Sequence, residues 1–408
     1  MFKENLQKYA RLLVESGLNV QEGQVVAVMA TIEAVELVRE VTKAAYNRKA
    51  KEVRVLYDDE FVTRQKYLNS PLEVFESVPK YISEFRNELV EQDSCILFLR
   101  GDDPELLKGC DREKVAANTK NMMLALKPFN DKRDNMELSW CIGAVPSAAW
   151  ANKVYPDMAT HEAIEALWQA IFKVTYTTKD DPVAFYSQNK INFENRVKYL
   201  NDLKIESLHY RNSLGTDLVV ELPEKYLFAG GGSYLSNGVY NFPNIPTEEV
   251  FTVNKKHGVN GIVYSSMPLN YHGNLIEDFS FKFEDGKIVE AKARVNEAVL
   301  NDMISLDEGA CYLGEVALVP YDSPISNLNT LFYMTLLDEN ASCHFAIGNS
   351  YIECLDGGLT MSEEEKKAQD VNESLTHVDF MVGTSDLEII ATTRDNKKVL
   401  IFKDGNFV

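Results

Sequence analysis

The chain has 408 residues, 45% of them hydrophobic, and its 62 acidic and 42 basic residues give a net charge of −20. That length exceeds one ordinary domain, and the apolar content supports buried cores rather than disorder. The acidic surface, with no basic run, excludes a nucleic-acid partner, and no segment approaches the roughly 18–20 apolar residues that span a bilayer.

In chain order, "MFKENLQKYARLLVESG" reads as an amphipathic helix with apolar Leu6, Tyr9, Leu12 and Leu13, not as a signal segment. "QVVAVMA" reads as a buried strand, "EAVELVREVTKAAYNRKA" as a helix and "EVRVLYD" as a second strand. Ser70 and Pro71 have the pattern of a helix N-cap and first turn, with Pro79 interrupting the next segment. "CILFLRG" is a third strand, Asp103-Pro104 opens another helix, and "WCIGAVP" is a fourth strand. Strands alternating with helices predict an α/β domain with a mainly parallel sheet. The helical stretches "HEAIEALWQAIFKV" and "FENRVKYLNDL" follow. From about Lys204 the texture turns to hairpins: "ESLHYRNSLGTDLVVEL", "FSFKFEDGKIVEAKA" with Asp285-Gly286 as a type I′ turn, and "LEIIATTRDNKKVLIFKDG". Short helices are expected near 295–303 and after Ser326. The expectation is an N-terminal α/β domain over 1–195 and a β-rich α+β C-terminal domain over 196–408.

Four clusters in the second half hold groups that ligate metals. "NFPNIPTEEVFT" carries Glu248 and Glu249, which face opposite ways on a strand, so only one can enter a given site. Glu248 reads as a solvated charge. Glu315 interrupts the apolar "YLGEVALVP", where a buried carboxylate is costly unless paired or bound to a cation. "DENASCHFAIGNSYIE" brings His344 and Tyr351, with Asp338 as a turn cap rather than a ligand. In "THVDFMVG", His377 and Asp379 occupy alternate strand positions and point the same way. Taken singly, each has an ordinary structural explanation. HExxH and GxSxG motifs are absent, and the glycine-rich "FAGGGSYLSNG" has neither GxGxxG spacing nor a Walker lysine, so it reads as a close-approach loop. His257 in "NKKHGVNG" reads as a surface-loop residue. The six cysteines form no CxxC pair and suit a reducing compartment.

Together the blocks "PNIPTEEVFT", "EDGKIVEAKA", "LGEVALVPYDSPIS", "DENASCHFAIG" and "HVDFMVG", in that order, resemble the thermophilic-type metallo-aminopeptidases (the aminopeptidase T, S and II family). "PSAAWANKVYPD" in the first half is similar as well. The resemblance implies a two-metal exopeptidase. The family's metal-binding residues fall on Glu249, Glu315, His344, His377 and Asp379, and its tyrosine falls on Tyr351. It implies two divalent ions per subunit, zinc or cobalt with magnesium or manganese as alternatives, that activate water and polarise a peptide carbonyl. Either Glu249 or Glu315 bridges the ions or handles the water's proton, and Tyr351 supports the oxyanion. The expected substrates are peptides with a free N-terminus, and the expected state is a cytoplasmic homodimer. The competing readings are a metal-dependent amide or ester hydrolase for a non-peptide substrate and a non-catalytic, metal-stabilised binding protein.

Overall fold

A computed structural model describes residues 1–271 and 273–408. The chain divides into two compact units, Met1–Asn189 with Gly232–Pro246, and Lys190–Gly231 with Thr247–Val408.

In the first unit, β1 (Val25–Thr31), β2 (Glu52–Asp58), β3 (Cys95–Arg100) and β4 (Trp140–Ala144) are all parallel, with the two-residue strand Asn244–Ile245 beside β4. The order from that short strand is β4, β3, β1, β2, so β2 is an open edge. The helix α1 (Phe2–Leu12) precedes β1, and the crossovers that parallel neighbours need are supplied by α2 (Val35–Asn47), α3 (Glu60–Asn69), α4 (Lys80–Glu91), α5 (Arg112–Ala125) and α6 (Lys127–Asp134). The helices α7 (Ala148–Val154) and α8 (Thr160–Val174) follow, and α9 (Pro182–Asp202) begins in this unit and ends in the second. β1 is buried along its whole length, as its unbroken apolar run requires, whereas β2 is largely exposed. On α1, Leu6, Tyr9, Ala10 and Leu12 are buried, and the Tyr9 hydroxyl donates to the Ala144 carbonyl at 3.1 Å.

Two local expectations differ from the structure. After Pro71 there is a single 3₁₀ turn, Leu72–Val74, and Pro79 starts α4 as its N-cap instead of interrupting a helix. A proline biases its predecessor away from the helical region, so the few residues between Pro71 and Pro79 cannot sustain a full helix. Asp103 makes a turn instead of a helix start: its Oδ1 accepts the Glu105 N–H at 2.8 Å, and Gly109 closes the segment at φ +76°. Asp111 then caps α5.

The second unit contains two antiparallel sheets. The larger has nine strands and includes all three expected hairpins, Ile205–Arg211 with Asp217–Glu221, Asn274–Glu284 with Lys287–Val295, and Glu388–Thr393 with Lys398–Lys403. Asp285 (φ 47°) and Gly286 (φ 81°) supply the two left-handed residues of a type I′ turn. The smaller sheet has five strands: β5 (Ala229–Gly230), β6 (Val250–Thr252), β7 (Leu313–Leu318), β8 (His344–Gly348) and β9 (His377–Met381), in the order β9-β8-β7-β6-β5. One hydrophobic cluster takes side chains from both sheets, among them Tyr210, Phe281, Val316, Phe345 and Phe380. The glycine-rich segment is a close-approach loop: a Cβ on Gly230 would stand 2.4 Å from the Glu249 carbonyl oxygen, and one on Gly231 would stand 2.5 Å from the Phe193 ring.

Candidate metal centre

The register of the smaller sheet decides which side chains meet. Directly paired residues share a face, and Glu315 pairs with Ala346, which pairs with Asp379. Ala317 pairs with His344, and Gly348 pairs with His377. His344, Ala346 and Gly348 alternate along β8, so all four of these polar residues project from one face. Phe251 pairs with Ala317 on the other side, and Glu249, two residues before Phe251, shares that face. Directly between the paired polar side chains stand the small Ala317, Ala346 and Gly348, with Phe251 beyond Ala317 on the side of Glu249. Gly348 cannot be larger, because it lies at φ +106° and a Cβ there would meet the Thr376 carbonyl oxygen at 2.1 Å. The opposite face carries Val316, Leu318, Phe345, Ile347 and Phe380 into the core.

Glu315 owes its direction to a bulge. Leu313 pairs with Ile347 on the core face, yet Glu315 pairs with Ala346 on the polar face, the register shifting between them. Without that extra residue, Glu315 and Leu313 would point the same way.

The two imidazoles are oriented from behind. His344 Nδ1–H donates to the Ser342 carbonyl at 3.2 Å, and His377 Nδ1–H donates to the Asn349 carbonyl at 2.8 Å. Both Nε2 atoms therefore face the carboxylates. His344 Nε2 lies 3.2 Å from Glu249 Oε2 and 4.0 Å from Glu315 Oε1. His377 Nε2 lies 3.1 Å from Glu315 Oε2 and 3.3 Å from Asp379 Oδ1. Each oxygen of Glu315 thus addresses a different histidine. The loop that supplies the Asn349 carbonyl is held by the buried Asn372, whose Nδ2 donates to the Gly348 and Gly309 carbonyls at 2.7 and 2.8 Å.

The site is dry and strongly acidic. Glu315 is 4% exposed and His344 1%. Burial raises the Glu315 carboxyl pKa, helped by Asp379 and Glu249 and opposed by His377. Burial would lower His344, but its hydrogen bond with Glu249 and the charges of Glu249, Asp379 and Glu315 prevail and push it up to about 10. His377 is likewise held well above its usual range, against its burial, by Asp379 and Glu315. Burial opposes ionisation of Asp379, yet His377 holds its pKa below the ordinary carboxylate value.

The sequence pattern singled out no role for Glu339, which stands one residue past the capping Asp338. Burial, together with the charges of Glu249, Asp379 and Glu315, raises its carboxyl well above normal, so it belongs to the same electrostatic cluster. Its only local signal was its place within "DENASCHF". Asp338 is a cap as expected, accepting the Phe332 and Met334 N–H groups at 2.8 and 3.0 Å. Glu248 is not a solvated charge: it is 9% exposed, and its N–H donates to Asn340 Oδ1 at 2.6 Å. Tyr351 is 38% exposed, with its ring 4.7 Å from the His377 ring and 5.9 Å from Phe251. Although the residue as a whole is exposed, the protein packed around its phenol and the charges of Glu315, Asp379, Glu339 and Glu353 raise its pKa well above the ordinary value, so it stays a hydrogen-bond donor. His257 lies on the surface beside Asp370.

This donor set fits divalent cations. Ligand atoms of Glu249, Glu315 and His344 lie within 4.8 Å of one another, and so do those of Glu315, His377 and Asp379. The closest separations of 3.1–3.3 Å match the edge of about 3.3 Å expected between donors about 2.0 Å from a tetrahedral ion. Imidazoles whose far nitrogen is tied to a backbone carbonyl are the usual supports of metal ligands. Four clustered carboxylates, with no lysine or arginine partner among the described residues, are costly in a dry site unless cations neutralise them.

Comparison with known proteins agrees with this chemistry. The family described as thermophilic metalloprotease (M29) matches residues 2–407. Aminopeptidase AmpS of Bacillus subtilis is 44% identical over 406 residues, covering 100% of this chain and 99% of that protein. Aminopeptidase T of Thermus thermophilus is 37% identical over 407 residues, covering 100% and 99%. The solved structure of wild-type AmpT from Thermus thermophilus superposes with a TM-score of 0.94 at 36% identity, covering all of both chains.

Proposed function

Because the chain belongs to the thermophilic metalloprotease (M29) family and is a metal-dependent aminopeptidase, we propose that it removes N-terminal residues from peptides at a binuclear centre. Glu249, Glu315 and His344 would hold one divalent ion, and Glu315, His377 and Asp379 the other. The observation that carries this reading is Glu315, whose two oxygens face two different histidines. That favours Glu315 over Glu249 as the bridging carboxylate. Four carboxylates, with Glu339 as the fourth, balance the charge of two dications, and the two imidazoles favour zinc or cobalt over magnesium or manganese.

Ions bound there would supply electrophilic polarisation of the peptide carbonyl and acidification of a water. The remaining work falls to side chains. Tyr351, kept protonated, donates to the carbonyl oxygen as it gains charge. His377, fixed by the Asn349 carbonyl, cannot rotate away from Glu315 and Asp379. The acidic surroundings attract the free α-amine of a substrate and reject a neutral, acylated N-terminus.

In the same reading the enzyme is a cytoplasmic homodimer. The cysteines are all free, in keeping with a reducing compartment, and no helix among the described residues is long and apolar enough to cross a membrane. The open β2 edge, with Val55 38%, Leu56 45% and Tyr57 41% exposed, is a surface that favours association.

Metal-depleted protein should regain cleavage of an aminoacyl anilide on addition of Co²⁺ or Zn²⁺ and should leave the N-acetylated anilide intact. Equal cleavage of both would point to a general amidase. Cleavage of neither would leave a binding protein.

A further inference from the structure

The parallel sheet of the first unit buries Ala27, Met29, Ile96 and Phe98 against Leu89 of α4 and Phe129 of α6. At the margin of this small core three arginines gather. Arg86 precedes Leu89 and Val90 by three and four residues, so it sits on the core side of α4. Its guanidinium carbon lies 5.4 Å from the Phe98 ring centre and 5.0 Å from that of Phe129. Arg100, two residues after Phe98 on β3 and therefore on the same face, lies 5.7 Å from the Phe98 ring centre. Arg133 of α6 lies 5.7 Å from the Trp140 ring centre. Burial, and then the charges of Arg100 and Arg133, lower Arg86 to about 10.

A cationic cluster is unexpected in a chain of net charge −20. Among the described residues, neither Arg86 nor Arg100 donates a hydrogen bond or forms an ion pair; their contacts are the ring faces and the neighbouring like charges. Three carboxylates of α4, α6 and the turn after it are engaged by other cations: Glu88 by Arg54, Asp131 by Lys127 and Glu137 by Lys132. A guanidinium stacked on a ring keeps its in-plane N–H groups free, and that fork matches an oxyanion. Held in half-buried surroundings beside like charges, it gains most from an anion that several arginines can share.

We propose that Arg86 and Arg100 bind a phosphate group on the face of the parallel sheet covered by α4 and α6. A dianion matches the accumulated charge better than a single carboxylate does. The phosphate is either inorganic or the ester group of a small metabolite.

The test is titration of the full-length, metal-loaded chain with inorganic phosphate or adenosine monophosphate at constant ionic strength set by chloride. Binding is read by calorimetry and by the fluorescence of Trp140, which adjoins Arg133. The expectation is one equivalent bound with a Trp140 response, weakened at least about tenfold in both Arg86→Met and Arg100→Gln, with anilide turnover unchanged. Phosphate bound instead at the metal centre would be indifferent to both substitutions. Tighter binding of the monophosphate assigns the ester as the occupant, and equal or weaker binding assigns the free ion. Arg100 is exposed and outside the core, so Arg100→Gln carries the test if Arg86→Met does not fold. Absence of binding by either probe, or wild-type affinity in the variants that fold, overturns the proposal.

Discussion

Replacing Glu315 with glutamine preserves its size while removing one negative charge, and the expected result has opposite signs in the two states of the protein. With metals bound, the charge of two dications is no longer balanced by Glu249, Glu339 and Asp379. A charge pair about 4 Å apart is worth about 4 kcal/mol at the effective dielectric of a partly relaxed interior, which is about 10³-fold in affinity. Metal-linked stabilisation should shrink correspondingly, by about 8–16 °C in melting temperature for a unit of this size. Without metals, Glu315 is one of four mutually repelling acids, and burial already pushes its carboxyl up. His377 retains Asp379 at 3.3 Å when Glu315 is neutral. The metal-free Glu315→Gln protein should therefore melt no lower than the metal-free wild type. Metal content after dialysis, thermal melts with and without Zn²⁺, and anilide turnover at saturating metal together read the effect. Near-wild-type turnover with two retained equivalents would sink the assignment. So would a metal-free melting temperature that falls as far as the loaded one, which would make Glu315 a structural hydrogen-bond partner.

Tyr351→Phe keeps the ring against His377 and Phe251 and removes only the donor. It should lower kcat by about 10²–10³ with unchanged metal content, and loss of metal would instead make the hydroxyl a support of the site. Because His344 stays protonated up to about 10 in the metal-free protein, loading metal at pH 7.5 must expel protons. The calorimetric enthalpy should then change with the ionisation enthalpy of the buffer and the affinity should rise with pH; a buffer-independent enthalpy would contradict this. Glu60 of α3 is raised to about 7 by burial and by Asp102, Asp103 and Glu33, against the Asp103 N–H that it accepts. A raised carboxyl contributes stability below its unfolded value near 4.5 and loses it as pH climbs through 7. Glu60→Gln should thus gain about 1–2 kcal/mol at pH 8, after discounting for its partial exposure, and nothing at pH 4. Urea unfolding at the two pH values checks it, and an unchanged pH profile would refute it.

What the sequence showed and what it hid divide along the range of the interactions. Alternation, apolar runs and the Asp285-Gly286 turn are local, and they located the parallel strands and the three hairpins. Prolines misled where a turn and a helix share the same opening residues, as at Pro71 and Pro104. At the centre, the cost of burying Glu315 was legible, but the bulge that aims it away from Leu313 was not, because it exists only in the pairing with β8. Glu339 escaped notice for the same reason: its neighbours Glu249, Glu315 and Asp379 are distant in sequence, and nothing in its own stretch distinguishes it from a solvated glutamate. Glu248 shows the converse error, since an acidic pair on a strand looked half solvated although Asn340 draws its backbone inward.

The candidate ligands lie on three adjacent strands and at the start of a fourth, and they form one site only because those strands keep a fixed register. A one-residue slip inside β7, β8 or β9 would turn Glu315, His344 or Asp379 into the core and bring Val316, Phe345 or Phe380 up in its place. Between these strands, 319–337 and 354–371 carry none of the groups described at the centre, unlike the flanking residues Glu339, Ser342, Asn349, Tyr351 and Asn372. Sequence change is therefore channelled: the strands and the short stretches that flank them tolerate neither gain nor loss of a residue, while the outer parts of the connections are free to lengthen, shorten and acquire new side chains. Preference for one N-terminal residue over another can then diverge among relatives without the reaction itself being put at risk.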